Sequence, residues 1–476
     1  MQYKWVALSN TTIGILMASL DANIVLIALP TIFKHLQDTS IFDLIWILLG
    51  YQLVTASVLV NFGRLADIFG RVRLYTFGFA IFTFGSALCS LSQTGPELVL
   101  FRMVQAVGAA FLFSNSAAIL TDAFPPDERG KALGVNQVSI VVGSALGLIL
   151  GGILAPTIGW QSIFWVNIPI GVFATVWSHF KLREVAVLRT GQKLDIIGNV
   201  TFAAGLFSVL VAITLQVLKG PTPIPPYALG GFGVLMLVIF FVTEARVKSP
   251  MLDLALFRNR LFAAGNVAIL LNSLARGAVT LVLVFYLLGP TMKLDVLTSG
   301  LYLIPNSAAI AFWGPISGWL SDRYGARFLA TGGLLVSCFG FLLLANIGNT
   351  VTFLELAVPL TFVGSGMGIF AAPNRASIMN SVAPEQRGIA SGVSVTLVNL
   401  GSTLSLAVAF LVMATVTPVS SLIQIFAGTG SSVPGGSVNS FIQSIHLVYF
   451  ISTLFLVLAI FPSVLRGGRP VRGKSS

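Results

Sequence analysis

"GRLADIFGRVR", residues 63–73, sets arginines and one aspartate between two apolar stretches, and "GWLSDRYGAR", residues 318–327, spells the same Gly-x-Leu-x-Asp-x-x-Gly pattern. The two aspartates, Asp67 and Asp322, lie 255 residues apart in a chain of which only 9% is charged. A chain so poor in charge repeats such a loop only if the loop recurs in its architecture.

Composition fixes the solvent. With 56% hydrophobic residues and a mean hydropathy of +0.93, the chain lies far outside the soluble range of about 25% charged residues. Apolar runs of about 18 or more residues recur roughly fourteen times, each long enough to cross a bilayer. They read as helices, because lipid requires each run to satisfy its own backbone and the runs are about twice the length of barrel strands. The sixth is expected at 160–181 and the ninth at 261–288, each as one helix. The first is too long for a signal sequence and carries Asp21.

Charge gives the orientation. With both termini cytoplasmic, roughly 22 of the 27 Lys and Arg fall in inner loops and tails, about three fall outside, and two are left within helices. The net charge of +11 therefore suits anionic headgroups and needs no nucleic acid. Cys89 and Cys338 read as packing residues, and the three histidines show no metal spacing. "GRPVRGKS", 468–475, copies a phosphate-loop pattern but follows no strand and precedes no helix, so it reads as a basic tail on the membrane surface.

The loop has further echoes. "PDERGKALGV" at 126–135 matches "PEQRGIASGV" at 384–393, and Glu97 matches Glu355 at the same offset of 258. The chain thus reads as an all-α polytopic membrane protein built from two six-helix units in the same orientation. The expected divisions are 1–182 for the N-terminal bundle, 183–260 for two inserted helices and an amphipathic link, and 261–476 for the C-terminal bundle with its basic tail. Within the loops, Gly63 and Gly70, and Gly318 and Gly325, are expected where a sharp return or close approach excludes a side chain. Asp67 and Asp322 have Arg71, Arg73 and Arg327 as neighbouring partners, or a helix N-terminus.

A charge at the bilayer centre costs at least about 2.5–3.5 kcal/mol, so each intramembrane charge is a functional candidate. Three stand out: Asp21 in the first helix, Arg102 in the fourth at similar depth, and Arg276 in the ninth. The offset of 255 carries Asp21 onto Arg276, so the two halves place opposite charges at equivalent positions. Two readings stay open. Asp21 exchanges partners among the arginines, a proton and substrate, or it forms a permanent ion pair that orients helices.

The repeated loop resembles the signature between helices two and three of the major facilitator superfamily. "LDANIVLIALP" at 20–30, "RMVQAVGAAF" from Arg102 and "GWQSIFWVNIPIG" at 159–171 resemble motifs of its fourteen-helix drug:proton antiporters. The resemblance implies two bundles rocking about a central cavity, with Gly63, Asp67, Gly70 and Arg71 as the main gating loop and Gly318, Asp322 and Gly325 as a second. "GSALGLILGG" departs from it: Gly143, Gly147 and Gly151, followed by Gly152, form a small-residue face in the fifth helix, but Leu148 stands where those antiporters usually carry proline. This face reads equally as packing surface or hinge.

The expected function is a proton-coupled exporter of small amphipathic compounds in the cell membrane, probing no cofactor beyond the proton gradient and acting as a monomer. A transporter of one anionic or neutral metabolite, in either direction, and a transport-inert receptor are the alternatives. No nucleophile with a base, metal cluster or genuine nucleotide loop suggests an enzyme.

Overall fold

In the computed structural model the described residues are 2–466 apart from 126–127, 186–194, 219–223, 248–249, 251, 253, 383–386 and 427–434. The side chains of Asp67, Asp322, Arg129 and Arg387, and the tail motif at 468–475, lie outside the described residues.

Among the described residues the chain is mainly helical and no strand forms. The first half comprises α1 (Tyr3–His35), α2 (Ile41–Phe69), α3 (Arg71–Leu91), α4 (Gly95–Ala123), α5 (Arg129–Thr157), α6 (Ser162–Trp165) and α7 (Asn167–Lys181). Then come α8 (Ile196–Leu218) and α9 (Pro226–Glu244). The rest comprises α10 (Arg260–Arg276), α11 (Val279–Leu288), α12 (Val296–Tyr324), α13 (Ala326–Leu344), α14 (Phe353–Asn380), α15 (Arg387–Val416), α16 (Val419–Phe426) and α17 (Gly435–Leu465). Among the described residues fourteen spans are long and apolar enough to cross a membrane, with α6–α7 and α10–α11 each forming one broken span. An even number of crossings puts Tyr3 and Leu465 on one side, here the terminal face; the other is the far face.

Local chemistry sets the helix starts. Ser40 with Asp43 and Thr352 with Glu355 form reciprocal capping boxes at α2 and α14, and Thr94 caps α4 by accepting from Glu97 N. The Glu97 and Glu355 echo is thus a repeated helix cap. Gly70 and Gly325 have φ of +106° and +88°, which a residue with a Cβ adopts only under strain, so both loop glycines are required for the turn.

Gly63 and Gly318 correct the sequence reading. A Cβ at Gly63 would meet nothing within 4 Å, and one at Gly318 would make ordinary contact with Ala372 at 3.7 Å. No close approach occurs at either position, and two glycine pairs show how α5 and α12 diverge on this face. Gly152 and Gly134 are 18 residues, five full turns, apart on one face of α5, as Gly300 and Gly318 are on α12. A Cβ at Gly152 would lie 2.7 Å from Leu297 Cα and one at Gly300 2.9 Å from the Leu148 carbonyl, whereas Gly134 meets nothing within 4 Å. The two helices therefore touch near the far face and separate toward the terminal face.

The rest of the glycine stripe turns toward α1. A Cβ at Gly143 would lie 2.6 Å from Leu16 O, one at Gly147 2.5 Å from Leu20 O, and one at Gly151 2.8 Å from Ile24 O. Small residues let the two backbones pack directly, where hydrophobic exclusion from water supplies no driving force. This seats Asp21 one residue beyond the Gly147 contact. Leu148 is buried, and its carbonyl meets Gly300 in an unbroken α5.

Two spans expected as single helices are broken. α10 ends at Arg276, and α11 restarts at Val279 after Gly277 packs against Ser402 of α15. The amide of Ala278 donates to Ser405 Oγ at 3.0 Å, so a neighbouring helix satisfies the break. α6 and α7 meet at Val166, between Phe164 and Asn167. The α8–α9 pair packs together and lies against α2 and α15, with Trp46 and Phe207 rings 5.2 Å apart.

Candidate functional site

Asp21 is completely buried where α1 meets α4 and α7. Arg102 Nη1 donates to its Oδ2 at 2.5 Å, while Gln105 Nε2 and Asn167 Nδ2 donate to Oδ1 at 2.9 and 2.8 Å. Both carboxylate oxygens are therefore occupied, as a buried anion requires. Arg102 Nη1 also donates to Gln105 Oε1 at 2.7 Å, and the guanidinium carbon lies 4.2 Å from the centre of the Tyr51 ring.

The backbone explains the convergence. Gln105 follows Arg102 by three residues, so both reach the same side of α4. Asn167 opens α7 directly after the break, and its Nδ2 also reaches Ser86 Oγ at 3.1 Å. Ser86 in turn donates to Phe164 O at 2.9 Å, tying α3 to the broken span. Three buried polar atoms around the pair have no partner: Tyr51 Oη, Arg102 Nε and Asn167 Oδ1. The cluster thus holds the carboxylate firmly yet keeps hydrogen-bonding capacity beside it.

Arg276, at the end of α10, is not joined to Asp21 here. Its Nε is buried without a partner, and among the described residues it enters no ion pair. One turn earlier, Asn272 touches Met367 Sδ and leaves its own Oδ1 unpartnered.

On the terminal face, Arg71 Nη1 bonds both oxygens of Asp122, at 2.9 and 2.8 Å. Glu184 accepts from the amides of Arg71 and Val72 at 3.0 and 2.9 Å, closing the N-terminus of α3, and Lys4 pairs with Glu128 at 2.6 Å. These contacts bind helices of the first half to one another. A link between the halves on this side is Arg375 Nη1 of α14 to Gln137 Oε1 of α5, at 3.2 Å.

Sequence reading by charge found Asp21 and Arg102 but missed Gln105, Asn167, Ser86 and Tyr51, which are neutral. It also missed Asp122 and Glu184. Gln105 and Asn167 stood inside the stretches that carried the family resemblance.

The sequence model of the Major Facilitator Superfamily matches residues 11–406. The chain belongs to this superfamily. This major facilitator protein is 32% identical over 412 residues to the riboflavin transporter RibZ of Clostridioides difficile, covering 86% of this chain and 88% of that one. It is 28% identical over 434 residues to multidrug resistance protein 3 of Bacillus subtilis, covering 90% and 83% respectively. Among solved structures, a D-xylose–proton symporter shares the fold, with a TM-score of 0.66 over 98% of both chains at 14% identity. The protein is a multi-pass membrane transporter rather than an enzyme.

Proposed function

We propose that this transporter is a proton-driven exporter of small amphipathic molecules, working by alternating access without a cofactor, and that Asp21 is its proton-binding group. One observation carries the reading: among the described residues, Asp21 is the carboxylate buried far from either helix end, and its principal partner is a single arginine. Loss of that partner raises a buried carboxylate's proton affinity, and its return lowers it. A movement that loosens α4 or α7 against α1 would therefore load or release a proton. The separation of α5 and α12 on one face supports the rocking geometry, and the asymmetry of Lys and Arg supports reading that face as cytoplasmic.

Relatives named for multidrug resistance and for riboflavin transport support small, partly aromatic cargo. The experiment is substrate-dependent acidification or alkalinisation in proteoliposomes. Asp21→Asn is expected to abolish the coupled proton movement, whereas coupled transport at the native rate would end the proposal. Unpaired Arg276 favours a second reading, carriage of an anionic metabolite in either direction.

A further inference from the structure

Arg466 follows the last residue of α17 and is 1% exposed, yet its Nε, Nη1 and Nη2 are all buried without a partner. Burial pushes this guanidinium down to about 10, so it remains charged at neutral pH. A buried cation with no counter-charge is unfavourable by several kcal/mol in order of magnitude.

The first half shows what belongs at such a place. There α3 and α7 are clasped by Thr76 and Ser178 hydroxyls, 2.5 Å apart, and six residues past Ser178 the carboxylate of Glu184 accepts from the first amides of α3. In the second half α13 and α17 carry the same clasp, Thr331 with Ser463 at 2.9 Å. These helices run antiparallel. Arg466, three residues past Ser463, therefore stands level with Phe328, three residues before Thr331, in the first turn of α13. Gly325 gives α13 no side-chain cap, and among the described residues the amides of its first turn donate to no acceptor side chain. None of residues 467–476 is acidic. Among the described residues the second half thus keeps the amide donors of the first without the carboxylate that meets them there.

We propose that Arg466 and the first turn of α13 form a binding site for a phosphate group. A guanidinium and a row of helix amides offer more donors than the two oxygens of a carboxylate accept, and they suit a tetrahedral oxyanion. The end of a membrane-spanning helix places the site at headgroup height, within reach of a phospholipid phosphate or of free phosphate.

Thermal unfolding of the full chain, in phosphate-free maltoside micelles with or without added phosphatidylglycerol or inorganic phosphate, tests this. Native mass spectrometry would report retained lipid. The wild-type protein should gain stability from one of these anions and hold it about tenfold more tightly than Arg466→Gln does. A response to phosphatidylglycerol alone identifies the lipid, and an equal response to millimolar phosphate identifies the free ion. In the phosphate-free micelles alone, Arg466→Gln should unfold no earlier than wild type, since it removes an unpaired charge. If that variant does not fold, Arg466→Lys serves, retaining charge without the fork and losing part of the preference. Insensitivity of the wild type to both anions, or an unchanged anion preference in the variants, overturns the site.

Discussion

Asp21 and Arg276 stand 255 residues apart, as do Asp67 and Asp322, so they occupy one position of the repeat with opposite charge and opposite surroundings. Around Asp21 lie Arg102, Gln105 and Ser86. The repeat offsets of 258 and 255 turn these into Leu360, Val363 and Phe341, all buried and apolar. The first half neutralises its charge internally, while the second leaves the Arg276 guanidinium without an ion-pair partner among the described residues. A charge settled by its own bundle is suited to storing and releasing a proton; one left open is suited to meeting a charge that arrives.

The largest effect that would break this comparison is loss of coupling in Asp21→Asn. Proton movement should fall by at least about a hundredfold, or roughly 2.7 kcal/mol, as read by an internal pH dye. The double variant Asp21→Asn with Arg102→Gln restores charge balance. It should recover stability but not coupling, which separates the proton-binding role from the structural one.

Part of this site was legible and part was not, for physical reasons. A lone aspartate in an apolar run advertises itself because charge is expensive in lipid, and Arg102 did so equally. Gln105 and Asn167 cost far less to bury, so neither stands out from the serines and asparagines around it. Asn167 reaches the acid only because α6 and α7 break at Val166, a break marked by Pro169, which stands in the first turn of α7 and supplies no amide to the turn before it. The break beside Arg276 has Gly277, but a glycine in an apolar helix more often signals packing, as it does along α5. The fourteen spans and their repeat were plain because hydropathy and loop charge are additive along the chain. The link from Arg375 to Gln137 was not legible, because it depends on two halves that sequence cannot orient.

Next in size is the stability of the ion pair. Arg102→Met should destabilise the protein by about 3–5 kcal/mol, because it leaves a buried carboxylate without its cation. Denaturation in detergent at neutral pH would report this. A variant as stable as wild type at neutral pH would mean that the pair contributes nothing to the fold.

A smaller effect belongs to the other side of the comparison. Arg276→Gln should weaken binding of an anionic aromatic dye about tenfold, some 1.4 kcal/mol, and leave a cationic dye of similar size unaffected or favoured. Intrinsic tryptophan fluorescence in nanodiscs would measure both. Equal losses for the two dyes would show that the open arginine shapes the bundle rather than selects charge.

Smallest, and most informative about why Arg276 stands where it does, is Ser405→Ala. The hydroxyl of Ser405 receives the amide of Ala278 at the α10–α11 break, where α1, the matching helix, is continuous. Removing a cap of this kind costs about 1 kcal/mol, while Ser405→Thr keeps the acceptor and should cost less. If the break merely accommodates Gly277 against α15, Ser405→Ala lowers the unfolding temperature and leaves dye selectivity as it was. If the break aims Arg276, the same variant reproduces in part the anion defect of Arg276→Gln without touching the charge. Selectivity lost in step with stability would assign the asymmetry between the halves to backbone geometry first and to the arginine second.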